Sequence, residues 1–144
     1  MRQLTILILM ICCAQLGAQD TFFSISDALQ EAETEDKPIM LVFSGSDWCK
    51  PCIELKKSVL DSPEFQSFSE EVILLHLDFP YKKSNRLSKN QTKHNEQLAD
   101  EFNPQGQFPK IILINSDRKY MGEVVYEKGL KPTQFIDHLK PLLL

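Results

Sequence analysis

Two periods of apolar residues alternate along this chain, and their order lays out its elements. An unbroken apolar stretch at 39–43 (Ile-Met-Leu-Val-Phe) and a mainly apolar one at 72–79, interrupted by His76 and Asp78, read as strands buried on both faces. A third buried run, 110–114, is followed by a turn at 115–118 and a strand at 120–126, so the last two strands form a hairpin. Between the runs the spacing turns helical. Ala28, Leu29 and Ala32 make one stripe over 27–35, with Ser26 as its cap and Asp27, Glu31, Glu33 and Glu35 on the other side. Apolar residues at 52, 53, 55, 59 and 60 predict a second helix ending near Asp61. Ser62-Pro63 starts a short third helix with Phe65 and Phe68 inward, and a fourth covers 91–102. Thr133 caps a last helix over 134–143, carrying Phe135, Ile136 and Leu139, which Pro141 shortens. Residues 22–25 are a short apolar lead-in. Helices laid between strands, closed by an antiparallel hairpin, predict an α/β sandwich.

The first 18 residues stand apart from this pattern. A short basic start containing Arg2 precedes an apolar run from Leu4 to Cys13, and Gly17-Ala18 then leads into polar Gln19-Asp20. That order is the order of a secretory signal peptide, with cleavage after Ala18, and the run is short for a membrane span. Cys12 and Cys13 follow bulky residues, Ile11 and Cys12, so lipoprotein anchoring is the less favoured reading. The 144 residues suit one folded domain behind that leader, at 19–144. A formal charge of −4 argues against nucleic acid as a partner. Lys82, Lys83, Arg86 and Lys89 cluster in a polar stretch at 80–92, either a solvated loop or a docking surface for an acidic partner.

Chemistry concentrates at Trp48-Cys49-Lys50-Pro51-Cys52, where the first strand ends and a helix begins. The free N–H groups and positive dipole end of a helix N-terminus favour a thiolate. Cys49 is therefore expected to be the low-pKa nucleophile, exposed to solvent, with Lys50 adding positive charge. Pro51 suits the first helical turn. Cys52, one turn deeper and covered, is placed to resolve a mixed disulfide formed at Cys49. A fixed structural bridge or half of a metal site are the bland alternatives. If cleavage follows Ala18, these are the only two cysteines left, which favours a working disulfide.

The segment 43–52, Phe-Ser-Gly-Ser-Asp-Trp-Cys-Lys-Pro-Cys, resembles the active-site segment of the thioredoxin family, and in particular its exported thiol–disulfide oxidoreductases. The resemblance covers about 22–144. It implies the thioredoxin fold, a central mixed β-sheet flanked by helices on both faces. It also implies a cis bond at Phe108–Pro109, directly before the 110–114 strand, with Pro109 beside the two cysteines and the Phe108 backbone turned out to pair with substrate. The chain departs from the family in two respects: 39–43 holds no acid to move protons at Cys52, neither Asp47 nor Glu54 being clearly equivalent, and the loop at 102–109 is one residue longer than usual. Water or Lys56 is left for that task.

The expected function is thiol–disulfide exchange on exported proteins in the periplasm or outside the cell. The partners are disulfide- or dithiol-containing proteins and a membrane or soluble redox partner. The protein is expected to be a monomer with no cofactor and no metal. Two other readings are a thioredoxin-like copper carrier and a non-catalytic module. The carrier lacks soft ligands near the cysteines, since His76 lies in a strand and His94 and His138 on helices. Whether the protein reduces, oxidises or isomerises is not legible in the motif.

Overall fold

In the computed structural model, which describes residues 21–143, the 39–43 run becomes strand β2 (Ile39–Ser44) at the centre of a mixed sheet. It pairs in parallel with β3 (Ile73–Asp78) on one side and antiparallel with β4 (Lys110–Ile114) on the other. Outside β4 lies β5 (Tyr120–Val124), and outside β3 a two-residue strand, β1 (Thr21–Phe22), giving the order β1-β3-β2-β4-β5. β1 is a correction to the lead-in expected at 22–25: two residues are too few to show a period, and the pairing depends on the open edge of β3.

The helices form where the spacing places them, but several caps differ. α1 (Ile25–Glu35) is capped at Ser24, not Ser26. Ser24 holds the extended backbone of a cap and its carbonyl takes the first helical bond, from Ala28 N–H at 3.1 Å, while the Ser26 hydroxyl meets only that of Ser24. α2 (Lys50–Leu55) widens into a π-turn over Lys56–Leu60, closed by Asp61 N–H on the Lys56 carbonyl at 2.9 Å. α3 (Pro63–Phe68) is capped by the Ser62 hydroxyl as expected. α4 (Lys89–Phe102) starts two residues early because the Ser88 hydroxyl accepts the Gln91 N–H. α5 (Pro132–Leu139) is capped at Lys131, not Thr133, since Pro132 takes the first position without needing an N–H. It ends at Leu139, and Lys140–Leu142, with Pro141 inside it, tightens to a 3₁₀ turn.

Strand alternation sorts these helices onto two faces. Ile39, Leu41 and Phe43 pack with Leu75, Leu77 and Ile112 beneath α1 and α4. Met40 and Val42 pack with Leu74, Ile111 and Leu113 beneath α2, α3 and α5, whose Leu55, Phe65 and Phe135 fill that side. The expected mixed sheet with helices on both faces is what forms. The C-terminal end of β2, under the start of α2, is where its two neighbouring strands bring further groups to the cysteines.

Candidate active site

Past Ser44 the chain turns at Gly45, whose carbonyl accepts Cys49 N–H at 2.9 Å and so starts α2 directly after the cysteine. A side chain at Gly45 would meet the Trp48 ring at 2.3 Å, so the turn and the indole require glycine there. Ser46 braces the turn by donating its N–H (2.9 Å) and hydroxyl (2.7 Å) to the Asp78 carboxylate at the end of β3. Cys49 is the cap of α2. Its Sγ accepts the Cys52 N–H at 3.2 Å and is bonded to the Cys52 Sγ, with the Cα atoms 5.2 Å apart. Pro51 occupies the first turn, exposed like Lys50. Both sulfur residues are buried, Cys49 at 5% exposure and Cys52 at 2%. The expectation that Cys49 is open to solvent is corrected for this bridged state: the bridge and the N–H contact turn its sulfur onto the helix start.

Aromatic rings gather at the cysteine motif, beginning with its own Trp48. The Trp48 indole donates to the Phe79 carbonyl at 2.7 Å and meets the Phe108 ring edge-on at 5.4 Å. Phe108 also meets Phe79 at 5.3 Å, so its ring joins three separate segments. Phe108 is held by its own loop: the Asn103 side chain both donates to the Gln107 carbonyl and accepts the Gln107 N–H, and Gly106 supplies a positive φ. The Phe108–Pro109 bond is cis, as expected. Ladder pairing between β2 and β4 stops at Phe43 and Lys110, which leaves the Phe108 backbone beyond the sheet. Pro51, Phe108 and Pro109 line a common groove of about 510 Å³ that runs to Glu123 and Tyr126. The Tyr126 hydroxyl is buried; loss of hydration, then the neighbouring Glu54 carboxylate, raises its pKa above the usual phenol value.

Asp47 ties the basic loop to this site. Its carboxylate accepts the backbone N–H groups of Tyr81 (2.8 Å) and Lys82 (2.9 Å) and the Asn85 side-chain amide (2.9 Å). The Tyr81 bond, supported by Lys82 and Asn85 against a partial loss of hydration, holds its pKa below the usual carboxylate value. A depressed folded-state pKa means the anchor is present above the unfolded pKa and is lost as pH falls through the folded one. At neutral pH, Asp47→Ala should free the loop, and trypsin should cut after Lys82 or Lys83 several-fold faster than in the parent. Unchanged cleavage would show that the loop is held by something else.

Sequence reasoning missed His76. It was read as a residue of the core strand, yet alternation puts it, with Leu74, on the α2 side of the sheet, opposite Val42 in register. Ser44, Cys52, Lys56, Asp61 and His76 line a small pocket of about 150 Å³ under the active-site helix. Burial lowers the His76 pKa, opposed by the Asp78 charge and reinforced by Lys56. Lys56, one of the groups expected near Cys52, is paired with Asp61 at 2.7 Å at the pocket mouth. The signal in the sequence was a lone imidazole inside an otherwise apolar run, 72–77.

Comparison with known proteins agrees with this arrangement. A family model described as thioredoxin-like matches residues 20–116. The chain is 33% identical over 107 residues to the disulfide bond reductase DsbH of Chlamydia pneumoniae, covering 74% of this chain and 63% of that protein. It is 49% identical over 39 residues to the thioredoxin-related protein DsbJ of the same organism, covering 27% of this chain and 11% of DsbJ. The chain thus spans less than two thirds of the length of either relative. The solved structure of a DsbH oxidoreductase superposes with a TM-score of 0.78 at 29% identity, over 89% of this chain and 87% of that one. With the matched domain covering most of the described residues and a Cys49–Cys52 pair at the expected strand-to-helix junction, the chain belongs to the thioredoxin-like family.

Proposed function

We propose that the protein is a thiol–disulfide oxidoreductase that reduces disulfides in exported proteins. The observation that carries this reading is the Cys49–Cys52 bridge at the start of α2, beside a groove formed by Pro51, Phe108 and the cis Pro109. The likeness to a protein named a disulfide bond reductase supports the reducing direction. In the reduced protein, the Cys49 thiolate attacks one sulfur of a substrate disulfide; that S–S bond breaks, a new one forms at Cys49, and one substrate thiolate leaves. Cys52 then attacks the Cys49 sulfur, restores the internal bridge and releases the second substrate thiolate. Two electrons pass from the protein's two thiols to the substrate, and a membrane or soluble redox partner re-reduces the bridge. An extended substrate segment lying in the groove would pair with the Phe108 backbone. Export follows from the reading of 1–18 as a signal peptide, which lies outside the described residues, and places the protein in the periplasm or beyond. The copper-carrier alternative would have to rest on the two thiolates alone, since among the described residues no three His, Cys, Asp or Glu side chains stand together to hold a metal.

Two measurements test the proposal together. With dithiothreitol as electron source, the protein should accelerate the reduction of insulin disulfides. Equilibrated with glutathione, its bridge should show a potential below about −200 mV, on the reducing side of the oxidoreductase range. A potential near −120 mV would make it an oxidant, and no acceleration at all would leave a binding module.

A further inference from the structure

Cys52 is 2% exposed, so the thiol that must lose a proton before it can resolve the mixed disulfide has little direct contact with water. The small pocket at its side is the route a proton can take, and the groups along it are few. β3 contributes His76, with the charge of Asp78 acting on it from the strand's end outside the lining; the π-turn contributes Lys56 and Lys57; Asp61 closes the mouth; Ser44 and Ser46 are neutral. These groups are not equally available. Asp78 is occupied by both donors of Ser46, and Lys56 is a cation already paired with Asp61. The His76 side chain has no hydrogen-bond partner among the described residues, and burial favours its uncharged form, which can accept a proton.

We propose that His76 is the proton acceptor of Cys52, taking the thiol proton directly or through one water held in the pocket between α2 and β3. The pocket's volume, about 150 Å³, has room for such a water. When Cys52 attacks the Cys49–substrate disulfide, its S–H proton goes to the imidazole, the Cys49–Cys52 bond forms, and the electron pair of the broken bond leaves with the substrate thiolate. The imidazolium then gives the proton to solvent at the mouth beside Lys56 and Asp61, and no outside oxidant or reductant enters this step. In the reverse half-reaction, when the bridge is reduced, His76 returns a proton to the Cys52 thiolate. This inference rests on the exchange reaction proposed above and assigns a residue to its second step only.

Separate measurements distinguish the two. A mixed disulfide is formed between reduced protein and a chromogenic aryl disulfide, and release of the second thiol is followed from pH 5 to 9. In the parent, release should rise with pH as His76 loses its proton, at a midpoint below that of free histidine. His76→Gln should slow release about 10²-fold near neutral pH and lose this inflection, while formation of the mixed disulfide at Cys49 stays within about two-fold. Equal release rates and an unchanged profile in His76→Gln would overturn the assignment while leaving exchange chemistry intact. Should the variant fold poorly, the unaltered protein still decides. The imidazole C–H signal of His76, titrated by NMR in oxidised and dithiothreitol-reduced protein, should move its midpoint on reduction, since Cys52 then shares a proton with it. Identical titrations in the two states would overturn the proposal without any substrate being present.

Discussion

Cys52→Ser protein, reduced and mixed with a disulfide substrate, should accumulate a stable covalent adduct at Cys49, whereas Cys49→Ser should form none. A serine hydroxyl is almost wholly protonated at neutral pH and cannot replace a thiolate. Cys49→Ser should therefore lose on the order of 10³-fold or more in disulfide reduction. The direction of the asymmetry comes from the helix start. Cys49 is the cap residue, its sulfur already accepts the Cys52 N–H at 3.2 Å, and a thiolate there would keep that donor and gain from the dipole. Cys52 lies within the first turn and is the less exposed of the two. Mass spectrometry of the non-reduced adduct, followed by peptide mapping, reads the site. Trapping through Cys52 in the Cys49→Ser protein would exchange the roles and would overturn the assignment of His76 to the resolving step.

The parts of this structure that were legible in the sequence are those decided by local rules. Continuous apolar runs could only be buried strands, so β2, β3 and β4 lie where the pattern puts them, within a residue or so at each end. The cysteine pair and Pro109 were legible because each combines a residue type with a position: at a strand-to-helix junction for the first, directly before a strand for the second. What stayed hidden depends on partners distant in the chain. β1 exists by virtue of β3, about fifty residues later, and two residues carry no period of their own. Asp47 looked like an unassigned acid near the motif; its role is set by backbone N–H groups 34 and 35 residues away. His76 looked structural because strand alternation says which face a residue occupies, not what lies above it. Only the path of α2 over that face brings it to the pocket that Cys52 lines. Cys49 was expected in the open because helix starts usually are, yet in the bridged state its sulfur turns inward.

Phe43→Ala should be the most destabilising single truncation near the site, costing about 3–5 kcal/mol, and it should also loosen the aromatic cluster at the cysteine motif. Phe43 is fully buried in β2, paired in register with Leu77 of β3 and Lys110 of β4, so the sheet cannot close around the missing ring. Its ring stacks on Phe79 at 6.4 Å, and Phe79 in turn supports Phe108 with its ring and Trp48 with its carbonyl. The loss is a large share of the roughly 5–15 kcal/mol that holds a typical domain together. Urea unfolding of the oxidised variant should show a lowered midpoint with an unchanged slope. Because Trp48 is the only tryptophan, its fluorescence reports that cluster directly: the emission of the folded variant should shift as the indole loses its fixed acceptor. Phe43→Leu, which restores much of the volume, should cost about 1–1.5 kcal/mol and leave the emission near that of the parent. A Phe43→Ala midpoint equivalent to less than about 1 kcal/mol would mean that the ring's space is refilled by its neighbours, and that Phe79 holds its place without it.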